Sequence, residues 1–378
     1  MTDSALLTLL TREMRGRGGA IPFHEFMSHA LYHPEHGYYM TGRTRVGHGG
    51  DFVTAPELTS LFGEMMTLQC IEVWQRLHCP QPFLIVEMGG GSGQLAYDLL
   101  TTAQRFPPFF ACLQLRMVET SPDFQTRQQQ KLHALGLAKD QIQWSTRLPD
   151  HISHGIILGN EFLDALPVHW VEMTPSGWME IGVTNPTHLA LQTCLLPLSD
   201  TLSGLLPTDL PVGYRSELGM AAMEWMRSAG QTLQQGAVIM IDYGEVARDH
   251  YSMRRHAGTL VGHYQGERVD DPLLHAGAMD LTAHVDFSAM AQAGAAGGLD
   301  LVGFTTQGWF LQGLGILERV EMAARMMAEE PVQRLRDTVK RLLLPDEMGE
   351  RFKVLVMGRN LGPEPLAGLR LNNQRDRL

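Results

Sequence analysis

Residues 85 to 97 read Ile-Val-Glu-Met-Gly-Gly-Gly-Ser-Gly-Gln-Leu-Ala-Tyr, an apolar strand running through Glu87 into Gly89, Gly91 and Gly93 and then into a helix. Glycines at every second position reach φ > 0 freely and let a ligand pass where a β-carbon would block it. A dinucleotide-binding turn needs a third glycine three residues after the second, and that position is Gln94. No Lys-Ser or Lys-Thr pair follows the glycines, which excludes a phosphate-cradling P-loop.

What remains is Glu-x-Gly-x-Gly-x-Gly, the S-adenosylmethionine fingerprint of class I methyltransferases. The amides and positive dipole end of the helix opening at Gly93 suit the carboxylate of the methionyl group, and Glu87 can answer its ammonium. The next apolar run, Leu113 to Val118, ends in Glu119, Thr120 and Ser121 before a polar helix from about Asp123 to Ala134. An acid closing the second strand can accept both ribose hydroxyls. Ser121, with Pro122 at the first turn, already supplies the helix start, which leaves Glu119 for the ligand and places Thr120 and Ser121 beside it.

At 378 residues, with 44% hydrophobic and 19% charged side chains, the composition is that of a globular α/β chain with a large core. No apolar stretch approaches the roughly 20 residues that span a bilayer. The opening, Met1 to Arg17, carries Asp3 and Glu13 and lacks both a signal-peptide core and a transit-peptide composition, so a cytoplasmic location is expected. A net charge of −11 argues against nucleic acid as a partner. The four cysteines show no paired metal spacing, which suits a reducing compartment.

Strand and helix signals alternate from Phe83: strands to Val118, at Ile142 to Trp144, from Gly155 to Asn160, at Ala237 to Asp242, near Asp300 to Phe304 and at Phe352 to Met357. The expected fold is a class I methyltransferase, Rossmann-like, with a mostly parallel sheet of seven strands. Residues 1–60 are expected to supply N-terminal helices and a lid over the donor site. Residues 61–358 should form the methyltransferase domain, with a β-rich insertion at about 171–235 that includes a helix from Arg215 to Leu233. Residues 359–378 read as a polar, frayed tail.

Ligands in open α/β sheets bind at the carboxyl ends of the strands. Gln143 and Trp144 on the third strand can frame adenine through an amide and a ring face, although a core tryptophan fits the sequence equally well. Asn160, Glu161 and Asp164, after the fourth strand, lie where the methyl group should emerge and are the candidate catalytic residues. Methyl transfer from a sulfonium is an in-line displacement needing alignment, desolvation and sometimes a base. For a guanidinium acceptor, Glu161 and Asp164 would orient the cation and receive a proton; the alternative gives Asp164 a helix cap and Glu161 a backbone contact. His29, His33 and His36 lack a fourth ligand at suitable spacing, so no metal is expected.

Six segments extend the match: His33-Pro-Glu-His-Gly-Tyr-Tyr39, Asp51-Phe-Val-Thr-Ala-Pro-Glu57, Glu87-Met-Gly-Gly-Gly-Ser-Gly93, Asn160-Glu-Phe-Leu-Asp-Ala-Leu-Pro-Val168, Ile241-Asp-Tyr-Gly244 and Asp280-Leu-Thr-Ala-His-Val-Asp-Phe287. In order and spacing, over about residues 20–358, they resemble the MidA family, the group containing the mitochondrial complex I assembly methyltransferase. The resemblance implies S-adenosyl-L-methionine as donor and an arginine of a respiratory complex I subunit, or a bacterial equivalent, as acceptor. It also implies that Tyr38, Asp51, Phe52, Thr54 and Pro56 close over the donor, that Asp242 and Tyr243 border the acceptor channel, and that His284 and Asp286 are functional candidates. Many relatives carry Pro where this chain has Gly90, a change expected to loosen the turn. A protein substrate is the expected partner, with a second copy of the chain as a further candidate. The alternatives are a donor-binding assembly factor with little or no catalysis, and a methyltransferase with another acceptor.

Overall fold

The alternation that begins at Phe83 closes into a single sheet. The computed structural model describes residues 4–42, 53–138, 140–187 and 190–378. Its central strands are β1 (Phe83–Met88), β2 (Leu113–Val118), β3 (Ile142–Ser145), β4 (Gly155–Asn160), β5 (Gly236–Glu245), β6 (Asp300–Thr306) and β7 (Phe352–Arg359). They lie in the order β6-β7-β5-β4-β1-β2-β3. Strands β1 to β5 pair in parallel, and β7 runs antiparallel to both β5 and β6. The order reverses between β1 and β4, and their adjacent carboxyl ends open the crevice in which such sheets bind ligands. Both faces are covered, which is why β1, β4 and β5 read as nearly unbroken apolar runs. One core gathers Phe62, Leu99 and Ile239, with helices Ser60–Arg76 and Gln94–Ala103. The other gathers Met226, Met240 and Phe287, with helices Met220–Thr232 and Phe287–Ala296.

A second, antiparallel sheet stands beside the first. His169–Thr174 and Gly177–Thr184 form the expected hairpin. Arg215–Leu218 joins one side of it, while Gln192–Pro197 and Ala20–Pro22 flank Gly177–Thr184. Arg215–Leu218 is thus a strand, not the start of a helix. Its buried Glu217 accepts from the amides of Thr259 and Leu260, tertiary bonds that an extended segment makes and a helix would forgo. The helix begins at Met220 and packs on the central sheet, so the β-rich insertion ends near Leu218. Helices Ser4–Gly16 and Phe23–Tyr32 share a third core with Trp170 and Ile181 of this sheet and with Leu281. Leu281 belongs to a short three-stranded ribbon, Val261–Tyr264, Glu267–Val269 and Asp280–Thr282, which the sequence pattern did not announce.

The C-terminal stretch is not frayed. Leu361, Leu366 and Leu369 are buried in the same core as Phe62 and Leu99. Asn373 Oδ1 accepts from the Phe304 amide at 3.2 Å, and the Gln374 amide donates to the Phe304 carbonyl at 2.6 Å, which extends the edge of β6. Among the described residues no helix is long and apolar enough to cross a membrane.

Candidate active site

A cavity of about 670 Å³ opens at the carboxyl ends of β1, β2 and β4. The glycine turn forms its floor, with φ of +59° at Gly89, +49° at Gly91 and +79° at Gly93. Among the described residues a β-carbon at Gly91 would meet no non-neighbouring atom within 4 Å, and Gly91 lines the cavity. Gly93 leads into helix Gln94–Ala103. The amide of Gln128 braces the turn from behind: Nε2 donates to the Gly91 carbonyl at 3.0 Å, and Oε1 accepts from the Trp144 ring nitrogen at 3.0 Å. At Gly90 the Met117 methyl occupies the space that a β-carbon would take.

Two acids stand over the turn. Glu87 is 3% exposed and its Oε2 has no hydrogen-bond partner among the described residues. Burial, and then the neighbouring Glu119, push its carboxyl up to about 8. An ammonium group satisfies that orphaned oxygen and removes the penalty at once. Glu119 accepts from the Ser121 amide at 2.9 Å and from Gln128 Nε2 at 3.3 Å. A carboxylate has about four lone-pair sites, so both oxygens retain capacity for hydroxyl donors. Glycines, acids and cavity therefore fit the methionyl and ribose parts of an adenosyl sulfonium.

The acids after β4 are set by β5. Asp242 Oδ2 accepts the amides of Phe162, Leu163 and Asp164 at 3.0, 2.8 and 3.3 Å, fixing the loop that carries Glu161 and Asp164. Glu161 holds a left-handed backbone, φ +53°, a conformation that a non-glycine residue keeps only when its surroundings enforce it. Its carboxylate accepts from Asn160 Nδ2 at 3.0 Å and from the Ala55 amide. Burial, and then Asp242, push Glu161 up to about 8. Burial with Asp242, Glu161 and Asp280 nearby holds Asp164 well above the usual carboxylate range. Asn160 Oδ1 is buried without a partner among the described residues. Segments remote in sequence complete the wall: Tyr39 donates to Asp280 at 2.6 Å, Tyr32 donates to the Ala165 carbonyl at 2.9 Å, and the Ala283 amide donates to the Asp164 carbonyl at 3.0 Å. Over the glycine turn, Ser92 hydrogen-bonds Glu57.

Of the residues singled out in the sequence, Glu87, Gly89, Gly91, Glu119, Thr120, Asn160, Glu161, Asp164, Tyr243, Thr54 and Pro56 all line this one cavity. Gly93 and Ser121 stand just behind it, with Ser121 Oγ accepting from the Phe124 amide as a helix cap. Gln143 is exposed and pairs with Arg116, and Trp144 packs toward the core behind Gln128. Neither lines the cavity: successive side chains of a strand point to opposite faces of the sheet, and the wall beyond β3 is made by Thr146, Arg147 and Leu148, which follow its end. Tyr38 is buried in the N-terminal core and its neighbour Tyr39 faces the cavity. Asp51 and Phe52 lie outside the described residues.

His284 and Asp286 also stand away from the cavity. His284 contacts Arg255 at 2.7 Å, and burial followed by that guanidinium lowers it to about 3. Asp286 caps helix Phe287–Ala296. Tyr32, Tyr39 and Asp280 were not singled out in the sequence, because the two tyrosines come from the N-terminal segment and the acid from the ribbon, and no spacing links either to the glycine turn. Among the described residues, His24, His169 and Glu180 bring ligand-type atoms within 4.8 Å of one another, outside the cavity. Glu180 Oε1 already lies 2.7 Å from His169 Nδ1 and 3.3 Å from His24 Nδ1, so the trio is satisfied as a clip between helix Phe23–Tyr32 and the second sheet.

Comparison with known proteins agrees with this geometry. The family described as "Putative S-adenosyl-L-methionine-dependent methyltransferase" matches residues 65–305. The mitochondrial protein arginine methyltransferase NDUFAF7 homolog of Drosophila melanogaster is 30% identical, over 92% of this chain and 84% of its own length. Human protein arginine methyltransferase NDUFAF7 is 28% identical, over 90% of this chain and 80% of its own. The crystal structure of a Burkholderia thailandensis protein bound to S-adenosyl-homocysteine superposes with a TM-score of 0.91 at 32% identity, covering 99% of this chain and 96% of that one. With the family match over residues 65–305 and a superposition that spans nearly the whole chain, the chain belongs to this MidA-type family of S-adenosyl-L-methionine-dependent methyltransferases, and S-adenosyl-L-methionine is its cofactor.

Proposed function

We propose that the chain methylates an arginine side chain of a protein, the acceptor being a respiratory complex I subunit or its bacterial equivalent, in the cytoplasm. The observation that carries this reading is the concentration of buried carboxyls at the acceptor end. Glu161, Asp164 and Asp280 line the cavity, and Asp242 is buried directly behind them. Burial together with repulsion from neighbouring acids raises Glu161 and Asp164, and burial raises Asp242. Like charges held this close are costly until a cation enters, and a guanidinium, permanently charged and planar, relieves the cost. The names of the curated relatives support the choice of arginine.

The cofactor supplies an electrophilic methyl group. Glu87 and Glu119 are assigned to its ammonium and ribose, with the glycine turn and the Thr54–Pro56 segment shaping the passage. Glu161 and Asp164 bind the guanidinium and point one nitrogen along the line of transfer. As the N–C bond forms, the electron pair of the breaking C–S bond stays on sulfur, and the substituted nitrogen sheds a proton. The guanidinium it binds favours the ionised form of Glu161, which then accepts that proton. Asp242 keeps the loop in register through its three amide bonds.

Incubation with methyl-labelled donor and a bacterial lysate should place label on arginine in a protein, and Glu161→Gln should abolish the labelling. Label confined to small metabolites, or to lysine, would overturn the acceptor assignment.

A further inference from the structure

We propose that Asp280, held by Tyr39, determines specificity for the acceptor: it is the second jaw of a carboxylate clamp, with Glu161 and Asp164 as the first, that selects a flat, delocalised cation over a compact ammonium. The inference rests on the arginine reading above and deepens it.

Asp280 reaches the cavity from a part of the fold that owes nothing to the strand-end loop. It sits on the ribbon strand Asp280–Thr282, paired with Val261–Tyr264, and is 4% exposed. The ribbon is fastened to the loop by the Ala283 amide on the Asp164 carbonyl at 3.0 Å, so the two jaws keep a fixed relation. Tyr39 donates to Asp280 Oδ1 at 2.6 Å, a short bond that orients the carboxylate. Tyr39 is itself fixed: its amide donates to the Leu31 carbonyl at 3.0 Å, and its ring stacks on Tyr32 with centroids 5.6 Å apart and planes at 28°.

The chemistry follows from the shape of the cation. An ammonium is a compact point charge with three donors that one carboxylate group can answer. A guanidinium spreads five donors around a plane, so full satisfaction needs acceptors on more than one edge and tolerates aromatic faces alongside. Two carboxyls on the strand-end loop, a third on the ribbon and two tyrosine rings in the same cavity provide that arrangement. Repulsion from Asp280 also contributes to the raised Glu161 and Asp164, as expected of groups that share one cation.

The test titrates N-acetyl-arginine amide and N-acetyl-lysine amide into protein saturated with S-adenosylhomocysteine, for the wild type, Asp280→Asn and Tyr39→Phe. The wild type should prefer the arginine probe. Asp280→Asn should weaken that probe by at least about tenfold and Tyr39→Phe by about threefold, the scale of one charged or neutral hydrogen bond. The lysine probe and S-adenosylhomocysteine should change less than about twofold in both variants. Tyr39→Phe removes a single hydroxyl and carries the test should Asp280→Asn fold poorly. An arginine preference that survives in both variants overturns the clamp alone. A wild type that prefers lysine, or takes up neither probe, overturns the arginine reading and the clamp with it.

Discussion

The two ends of the cavity are built in opposite ways. At the donor end, Glu87 lies in β1, Gly89 and Gly91 follow it without a break and Glu119 follows β2 at once, so neighbours in the chain are neighbours in space. At the acceptor end, Glu161 and Asp164 come from the loop after β4, Asp242 from β5, Asp280 from the ribbon, and Tyr32 and Tyr39 from the N-terminal segment. A ligand common to a whole family can be met by one compact motif. An acceptor is met by surfaces that only the folded chain assembles.

The contrast can be broken first at the acceptor end. Glu161→Gln keeps the shape and removes both charge and basicity, so turnover should fall by about a hundred- to ten-thousand-fold, while affinity for S-adenosylhomocysteine stays within about threefold. Single-turnover transfer and ligand titration on the same protein separate the two; a parallel loss of donor affinity would merge the ends. The converse variant is Gly91→Val. A branched side chain at φ +49° costs about 1–2 kcal/mol in backbone strain and projects into the cavity, which together should weaken the donor by about a hundredfold or more. Normal donor affinity in that variant would mean the ligand does not pass the turn.

Glu119→Ala should cost roughly 1.5 to 3 kcal/mol of donor affinity, the range for hydrogen bonds to a charged group. The smallest effect is one of pH. With its carboxyl at about 8, Glu87 is roughly nine-tenths protonated at pH 7. An ammonium brought to it lowers that value, so binding releases a proton and affinity rises with pH, by up to about fifteenfold between pH 6.5 and 8, with at most about a further twofold above 8. Calorimetry in buffers of different ionisation enthalpy should detect the released proton, and Glu87→Gln should abolish it. A pH-independent affinity would leave Glu87 without its ammonium.

The same contrast explains what the sequence allowed. The seven strands and their mostly parallel pairing follow from apolar periodicity, because the buried strands of a doubly covered sheet leave little else to read. Arg215–Leu218 was misread because its strand exists only through partners at His169–Glu172 and Thr259. The tail was misread because three buried leucines are too sparse to show a period. Trp144 was drawn to the ligand by its position at a strand end, yet its ring nitrogen serves Gln128, and through it the glycine turn. Glu161 and Asp164 follow from their place after β4, whereas Tyr39 and Asp280 lie in segments that carry the family resemblance but have no position in the sheet pattern that would bring them to the site.

The most direct test of a single cavity with a donor end and an acceptor end is a crystal structure of the protein with S-adenosylhomocysteine. The predicted result is an amino group on Glu87, ribose hydroxyls on Glu119 and the sulfur facing Glu161 and Asp164. A sulfur turned away from those two acids, or a ligand seated outside the glycine turn, would contradict it.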